Sequence, residues 1–574
     1  GREARLRAAR DQVARRLAAL GALPRPRGAA ASDEQILAEI AAAPVPPGPR
    51  PFPREAPHAA SWLRAREPGQ ARLRTTLDAG TQRLAERVAS GAAPDLRRQG
   101  IHNGAVVVLE SRSGEVRALA GNLDFWDGAH GGQIAAFAEP RSPGSALKPV
   151  LYAMALERGL AGPRTLVPDV PLLFGSYAPR NFEARFDGLV PLEEALARSL
   201  NVPFVSLLRD LGVEPFLGRL RALGVRSLDP RPGHYGLSAA VGGLELTPLE
   251  LAGVYAALAW GGEWVEPRVR PGPAQKGRGF APGAAWLTGQ ALALRDRPDF
   301  PSRRQLTGAP AHVRWKTGTS FGHRDAWAAG WGPGHTAVVW LGNLDGSPSR
   351  QLVGGEVAAP MLFDLLEALA DRSGAPAALP APSELAEVEV CALSGRAPTP
   401  ACPERRSTLA LRSAVPTEPC PFHRRVEVEV ASGKALAPGC REGRRAEART
   451  FVVWPASVRR WLRDQDRALP EPPELAPGCA RGGPRRAPVI VSPPPGQVAL
   501  LAPGVAAERQ EVVLEAESSA EGALAWFVDG EYLGSARADE RLWWRPRPGA
   551  HEVVVTDEAG LSARRRLVVR ERGR

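Results

Sequence analysis

Residues 143–149 read Pro-Gly-Ser-Ala-Leu-Lys-Pro. Pro143 and Gly144 interrupt any preceding helix, so a helix is predicted to begin at about Ser145. Ser145 and Lys148 then share one face of that helix, with the hydroxyl near its positive end. A serine hydroxyl becomes a strong nucleophile when a base removes its proton, and a buried lysine amine can act as that base. The alternative is an ordinary capping serine followed by a solvated lysine.

The rarity of lysine gives this stretch more weight. Of 74 basic residues only four are lysines, at positions 148, 276, 316 and 434. Arginine supplies the positive charge elsewhere, and its guanidinium does not lose its proton in proteins. A retained lysine therefore suggests a role in which a proton is exchanged.

A second polar motif is Ser199-Leu200-Asn201, which lies at the end of a predicted helix over 192–200 and just before Pro203. Pro203 is predicted to end this helix, so that both polar side chains project from a loop. The alternative is a simple helix stop with no further role.

A third motif, Lys316-Thr317-Gly318-Thr319, lies in a predicted strand. Alternation places Lys316 and Gly318 on one face of the strand and the two threonines on the other. We expect the missing side chain of Gly318 to leave room for a substrate backbone. A cation beside hydroxyl groups suits a carboxylate ligand, although an ordinary edge strand is equally compatible.

The predicted elements around these motifs favour an α/β domain that ends near residue 372, with one sheet covered by helices. The predicted strands cover 73–78, 105–109, 115–120, 312–317, 325–332 and 336–342. The predicted helices cover 80–90, 146–158, 192–200, 213–223, 247–260 and 360–371.

The two ends of the chain differ from this middle part. Residues 1–22 and 34–43 are predicted helices, the second capped by Ser32 or Asp33. The chain begins without an initiator methionine or a signal-type apolar run, so we expect that a preceding segment is missing. Residues 488–574 contain short alternating runs separated by turns, which predicts a small immunoglobulin-like β-sandwich.

Composition excludes several classes of protein. With 44% hydrophobic and 24% charged residues the chain is expected to be globular. It contains no run of about 18 consecutive apolar residues, as a transmembrane helix requires. The net charge of +12 is spread along the whole length without a basic stripe, so we expect a solvated surface and no nucleic-acid partner.

All five cysteines lie in the Pro-rich stretch 373–487, at positions 391, 402, 420, 440 and 479. One interpretation is a set of disulfides that staple a segment with little hydrophobic core. The other is a zinc site formed by Cys391, Cys402, Cys420 and His423, in which the last two have C-x-x-H spacing. We expect no metal or other cofactor in the chemistry of the serine and lysine motifs themselves.

Taken together and in this order, Ser-x-x-Lys, Ser-x-Asn and Lys-Thr-Gly resemble the motifs of penicillin-binding proteins and serine β-lactamases. The flanking residues narrow the resemblance to bifunctional penicillin-binding proteins of the 1C type. The resemblance implies four segments. They are 1–70, the tail of a missing glycosyltransferase domain and a linker; 71–372, a β-lactamase-like transpeptidase domain; 373–487, a connecting segment; and 488–574, the carboxy-terminal β-sandwich.

The resemblance also implies a role for each motif residue in a peptidoglycan D,D-transpeptidase that acts on D-Ala-D-Ala stem peptides. Ser145 would be the acylated nucleophile and Lys148 its base, while Ser199 and Asn201 would relay protons and orient the substrate amide. The substrate carboxylate would bind residues 316–319, chiefly through Lys316 and the two threonines.

The implied location is the periplasmic side of the bacterial inner membrane, with the membrane anchor and the glycosyltransferase glutamates in the missing part. The implied partners are peptidoglycan stem peptides, glycan strands, β-lactams and other cell-wall synthesis proteins. Two alternatives remain. One is a β-lactamase, which the multidomain layout disfavours. The other is a poorly acylating scaffold whose carboxy-terminal module recruits partners, for which the Trp543-Trp544 pair is a candidate surface.

Overall fold

The computed structural model describes residues 2–23, 31–44, 55–70, 72–174, 177–231, 233–294, 297, 313–373, 379–437, 439–467, 469–479, 487–502, 504–506, 510–518, 522–538 and 540–571. The chain divides into two compact units, residues 1–55 and 56–574. Among the described residues, no helix is both long and apolar enough to cross a membrane.

The described residues of the first unit contain two helices, as predicted: α1 (Arg2–Ala19) and α2 (Asp33–Ala42). Ser32 caps α2, because its hydroxyl accepts a hydrogen bond from the backbone N–H of Gln35 and the Gln35 side chain accepts one in return. The guanidinium of Arg10 in α1 donates to the carbonyl of Ala41 at 2.9 Å and so joins the two helices.

The second unit is built around a five-stranded antiparallel sheet with the order β2-β1-β9-β8-β7. Its strands are β1 (Asn103–Glu110), β2 (Val116–Ala120), β7 (Arg314–Thr319), β8 (Asp325–Trp331) and β9 (His335–Gly342). The strands predicted from residue 105 onward are confirmed within one or two residues. Strand β7 lies at one edge of this sheet and pairs with β8, which in turn pairs with β9.

Helices cover both faces of this sheet, which explains why its strands are almost continuously apolar. Along β1, Ala105 and Val107 enter the larger core and Val106 and Val108 the smaller one. The helices of this part are α3 (Pro57–Arg66), α4 (Ala79–Arg98), α5 (Lys148–Glu157), α6 (Leu192–Ala197), α7 (Asn201–Leu211), α8 (Val213–Ala222), α9 (Pro248–Ala259), α10 (Pro282–Leu292) and α11 (Ala359–Ser373). Helices α4 and α11 pack on the smaller core, and α5 and α9 lie in the larger one.

The prediction of a strand over 73–78 is wrong. This segment has no strand pairing, and Asp78 instead caps α4 by accepting the backbone N–H of Thr81 at 2.8 Å. The segment still lies against the domain, since the backbone N–H of Thr76 donates to the carbonyl of Val269. The backbone N–H of Asp78 also donates to the carbonyl of Arg117 in β2 at 3.0 Å. These separate hydrogen bonds satisfy polar groups of the segment without forming the regular ladder of a strand.

Short strands fill the connections within this domain and the segment that follows it. They are β3 (Leu166–Asp169), β4 (Gly188–Pro191), β5 (Glu263–Val265), β6 (Lys276–Arg278), β10 (Leu385–Cys391), β11 (Arg405–Leu411), β12 (His423–Glu429), β13 (Ala435–Leu436) and β14 (Ala446–Val452), followed by α12 (Ala456–Arg463). Strand β10 pairs with β11, and β12 pairs with both β13 and β14. A disulfide joins Cys440 to Cys479.

Two further sheets form the carboxy-terminal part, with strand orders β15-β17-β20 and β16-β22-β21-β18-β19. The strands are β15 (Val489–Ser492), β16 (Val498–Leu501), β17 (Val512–Glu517), β18 (Ala523–Val528), β19 (Glu531–Arg537), β20 (Leu542–Trp544), β21 (Gly549–Thr556) and β22 (Ser562–Glu571). One core lies between them and includes the buried Trp526. Trp543 remains about half exposed, at 51%. The predicted β-rich character is confirmed, and the immunoglobulin-like topology stays a prediction.

Candidate active site

Ser145 lies in a tight turn at the edge of a deep cleft. The turn is a single 3-10 turn, Gly144–Leu147, and the α-helix begins only at Lys148, three residues later than predicted. Gly144 has a left-handed backbone with φ of +54°, and a side chain there would overlap the backbone of Thr319. The glycine of the Pro-Gly pair therefore allows the turn to pack directly against β7.

Two buried aromatic side chains hold this turn from behind. The hydroxyl of Tyr255 donates to the carbonyl of Ala146 at 2.6 Å, and the indole N–H of Trp327 donates to the carbonyl of Ser142 at 2.7 Å. Both aromatic side chains are fully buried. The backbone on each side of the nucleophile candidate is thus fixed by rigid donors, as a preorganised site requires.

Lys148 is completely buried, and its amine points toward the second motif. Nζ donates to the carbonyl of Ser199 at 2.7 Å and to Oδ1 of Asn201 at 2.6 Å. Burial lowers the pKa of Lys148 well below its ordinary value, and the nearby charge of Lys316 lowers it further, while Asp169 opposes the change. A neutral amine is the state that a general base needs.

Ser199 lies between the two lysines of the motifs. Its carbonyl accepts from Lys148, and its hydroxyl accepts from Nζ of Lys316 at 2.7 Å. The backbone of Ser199 is left-handed, with φ of +61°, which is rare for a residue with a side chain. Such strain is typical of functional positions whose surroundings fix the conformation.

The prediction that Pro203 ends a helix is wrong. Helix α6 ends at Ala197, and Pro203 lies in the first turn of α7, which begins at Asn201. Proline is favoured there because a first-turn N–H has no partner within the helix. The motif therefore lies at the junction of two helices, and its polar side chains still line the cleft.

Strand β7 forms one wall of the cleft, which Thr317, Gly318 and Thr319 line. Gly318 faces the turn that carries Ser145, and alternation places Lys316 on the same face of the strand. The expectation that Gly318 leaves room for substrate is corrected, because a side chain there would overlap the carbonyl of Pro143. The hydroxyl of Thr319 accepts from the backbone N–H of Gly354 at 3.0 Å. Gly318 thus lets the strand and the turn approach each other, while its backbone faces the cleft.

Two residues that sequence reasoning missed support Asn201. The amide of Asn181 donates to both carboxylate oxygens of Asp169, at 2.8 and 3.0 Å, and its Oδ1 accepts the backbone N–H of Asn201 at 2.7 Å. Both residues are buried. Burial raises the pKa of Asp169, against the hydrogen bonds from Asn181 and the backbone of Asp187. No spacing signal links these positions, because β3, a loop and α7 each contribute one residue.

Replacing Asp169 by asparagine should change the proton affinity of Lys148. The carboxylate raises the pKa of Lys148, so its removal lowers that pKa further. When the rate of acylation by a β-lactam is plotted against pH, the rise on the acid side should therefore move to lower pH in the Asp169→Asn variant. A purely structural defect would lower the rate without moving this rise. Asp210→Asn, at an exposed position near the end of α7, is the matched control and should leave the profile unchanged.

The cleft has a volume of about 2080 Å³, several times that of a dipeptide, so it can hold an extended peptide. Its lining contains both charges, including Arg180, Arg198 and Glu356. Two aromatic side chains at the cleft are solvent-exposed, Phe321 at 99% and Phe182 at 63%. The described cleft therefore offers ion-pairing groups together with apolar surface.

The zinc candidates lie outside the lining of this cleft. Cys391, Cys402, Cys420 and His423 are nevertheless close together and buried. The three cysteines are not disulfide-bonded. The sequence suggested either disulfides or a zinc site. Among the described residues, the disulfide interpretation applies to the Cys440–Cys479 pair.

Three family models match the chain. Residues 104–367 match the penicillin binding protein transpeptidase domain, 381–425 the penicillin-binding protein 1A C-terminal domain, and 477–569 the penicillin-binding protein C-terminus family. The chain is 30% identical to penicillin-binding protein 1C of Escherichia coli K12 over 582 residues, which covers 98% of this chain and 72% of that protein. This chain belongs to the penicillin-binding proteins.

Other relatives match a smaller share. Penicillin-binding protein 1A of Neisseria gonorrhoeae is 31% identical over 297 residues, which covers 47% of this chain and 36% of that protein. The crystal structure of penicillin-binding protein 1A from Haemophilus influenzae superposes with a TM-score of 0.57 at 16% identity and covers 72% of this chain and 83% of that one. This likeness supports the fold.

The family resemblance predicted from the three motifs is confirmed. Membership places the chain among the penicillin-binding transpeptidases, a family of peptidoglycan synthesis that binds β-lactams. The cleft beside β7 lies within the matched transpeptidase domain, and all eight motif residues belong to that domain.

Proposed function

We propose that the chain is a serine D,D-transpeptidase that acts on D-Ala-D-Ala stem peptides through an acyl-enzyme. The observation that carries this proposal is the placement of Lys148. Its buried amine, with a lowered pKa, lies one helical turn from Ser145 and donates to Ser199 and Asn201. A charged structural lysine would be costly in this place, whereas a neutral base is favoured by burial.

In the first half-reaction, Ser145 Oγ forms a bond to the carbonyl carbon of the penultimate D-Ala while its proton passes to Lys148 Nζ. The backbone N–H groups of Ser145 and Thr319 are the proposed donors to the oxyanion. The C–N bond then breaks, and the terminal D-Ala leaves as its nitrogen receives the proton held by Lys148, relayed through the Ser199 hydroxyl. That hydroxyl accepts from Lys316, so its own proton can point to the leaving group.

In the second half-reaction, an amine of a neighbouring stem peptide forms a C–N bond to the acyl carbon and the C–O bond to Ser145 Oγ breaks. Lys148 takes a proton from the amine and returns it to Ser145 Oγ. Water in place of the amine gives carboxypeptidation. A β-lactam would acylate Ser145 through the same steps, because its strained amide takes the place of the D-Ala-D-Ala bond. No metal or cofactor takes part in this proposal.

Lys316, Thr317 and Thr319 are the proposed ligands of the substrate carboxylate. Lys316 supplies the charge, and its Nζ also donates to the carbonyl of Thr317 at 2.8 Å, which fixes its direction. Charge-assisted hydrogen bonds of this kind are stronger than neutral ones. Asn201 has its amide N–H on the carbonyl of Arg180 and its Oδ1 on Lys148, so we assign it to orienting the base as well as the substrate amide.

The proposed location is the periplasmic side of a bacterial inner membrane, where peptidoglycan is the substrate. Stem peptides and glycan strands are the proposed partners, and other cell-wall synthesis proteins could dock on the carboxy-terminal sheets. Glycan polymerisation is proposed only for a longer protein that carries the glycosyltransferase residues.

Labelling with a fluorescent penicillin tests this proposal. The folded chain should form a stable covalent adduct that survives a denaturing gel, and excess unlabelled penicillin should prevent it. A pentapeptide ending in D-Ala-D-Ala should release D-Ala, and an added acceptor amine should divert the acyl group from water. A folded chain that neither labels nor releases D-Ala would support the scaffold alternative instead.

A further inference from the structure

Three thiols and one imidazole converge in the segment that follows the transpeptidase domain. Cys391 ends β10, His423 begins β12, and Cys402 and Cys420 lie in the loops before β11 and β12. Their sulfur and ring-nitrogen atoms all lie within 4.8 Å of one another, and all four residues are buried. The proposed acyl transfer uses none of them.

The distances within this cluster suit a shared metal ion. Nδ1 of His423 lies 3.4 Å from Sγ of Cys391 and 3.4 Å from Sγ of Cys420. One ring nitrogen carries at most one proton, so it cannot donate to both sulfurs. In a tetrahedral site with Zn–S bonds of about 2.3 Å and Zn–N bonds of about 2.0 Å, sulfur and nitrogen are about 3.6 Å apart. The observed separations are close to that value.

Neighbouring N–H groups already point at the sulfur atoms. The backbone N–H of Ser394 donates to Sγ of Cys391 at 3.5 Å, and that of Thr399 donates to Sγ of Cys402 at 3.3 Å. The hydroxyl of Thr399 is also 3.4 Å from the same sulfur. Hydrogen bonds to ligand atoms orient them and stabilise thiolates, and they commonly accompany metal sites.

We propose that Cys391, Cys402, Cys420 and His423 bind one structural Zn²⁺ ion. Soft thiolates with one imidazole in a tetrahedral arrangement favour zinc. Four protein ligands leave no open position for water, which is the mark of a structural rather than a catalytic site. Each thiol gives up its proton to solvent when the metal binds. Phe422 and four half-buried apolar side chains surround the cluster and restrict access of water: Leu166, Leu189, Leu393 and Val452.

The site would anchor the connecting segment to the transpeptidase domain. The loop after Cys391 lies on the start of β3. There the backbone N–H of Leu166 donates to the carbonyl of Ser394 at 3.0 Å, and the hydroxyl of Thr165 donates to the carbonyl of Gly395 at 3.3 Å. Strand β3 ends at Asp169, which supports Asn201 through Asn181. Zinc would thus stabilise a strand that reaches the supporting residues of the cleft.

Elemental analysis of the full chain, purified without chelator or added metal, should find about one zinc per chain. The zinc content of the Cys402→Ser and His423→Gln variants should be lower by about tenfold or more. A Cys440→Ser, Cys479→Ser double variant is the matched control and should keep its zinc, since these two cysteines form a separate disulfide. After chelation, added Co²⁺ should give sulfur-to-metal charge-transfer absorption and the visible bands of a tetrahedral site.

If these variants do not fold, measurements on the unaltered chain test the proposal. Bound zinc should protect the three thiols from alkylation, and a chelator should expose them and lower the melting temperature by about 5 °C or more. Less than about 0.1 zinc per folded chain would overturn the proposal. So would a disulfide between any two of the three cysteines, or full zinc content in both variants. Penicillin labelling is a separate readout, so a failure here leaves the proposed function standing, and the reverse also holds.

Discussion

Replacing Ser145 by alanine is expected to abolish covalent penicillin binding while the fold stays intact. The proposed reaction passes through a bond to Ser145 Oγ, and no other hydroxyl lies in the same turn. Removing the nucleophile of an acyl-transfer site lowers turnover by about 10³-fold or more. Fluorescent penicillin labelling, with peptide mapping of the unaltered chain, measures the loss directly.

The fold of the Ser145→Ala variant should be unaffected, because the turn is held by backbone contacts from Tyr255 and Trp327. Its circular dichroism and melting temperature should match those of the unaltered chain. Ser347→Ala, in an exposed loop after β9, is the matched control and should label normally. An adduct that persists in the Ser145→Ala variant would show that another residue is acylated.

Replacing Lys148 by arginine is expected to lower the acylation rate constant by about 10²- to 10⁴-fold, the usual contribution of a general base. Arginine keeps the charge and can still donate hydrogen bonds, but it cannot release its proton. Lys148→Met removes charge and donors together and should be equally slow. A variant at the half-exposed Lys434, Lys434→Met, should acylate at the normal rate. Stopped-flow acylation by a chromogenic β-lactam measures all three.

The pH dependence separates a base from a merely structural lysine. Burial and Lys316 lower the pKa of Lys148, so the neutral amine is the form that accumulates as the pH rises through that lowered pKa. The acylation rate should therefore increase with pH and reach its plateau below the ordinary titration range of lysine. In Lys148→Arg this limb should vanish. A limb that persists unchanged in Lys148→Arg would assign the proton transfer to another group.

Part of the fold of the transpeptidase domain could be predicted, because the sequence patterns that indicate its strands and helices are local. The apolar run in β1 identified a buried strand, and helices on both faces of the sheet explain why the run does not alternate. The segment 73–78, wrongly predicted as a strand, makes one backbone hydrogen bond to Val269 and one to Arg117 of β2, which do not amount to a strand ladder. Pairing across the sheet depends on distant segments, which periodicity does not report.

Pro203 and Gly318 illustrate the same limit at the site. Proline stops a helix or starts one, and only the position of Asn201 at the start of α7 decides between the two. A glycine in the sequence indicates that another segment can approach closely, but it does not indicate which segment does so. At Gly318 that segment is the turn that carries Ser145, because the packing of the domain brings β7 and this turn together.

Three short motifs were enough to identify the family and to predict the chemistry, because each keeps its reacting groups within a few residues. Ser145 and Lys148 need only one helical turn to meet, and the rarity of lysine set them apart. The tertiary structure alone decided that Ser199 lies between two lysines, that Asp169 and Asn181 support Asn201, and that three cysteines and a histidine converge. These contacts join segments far apart in the chain, and their geometry follows from packing and burial that no local pattern encodes.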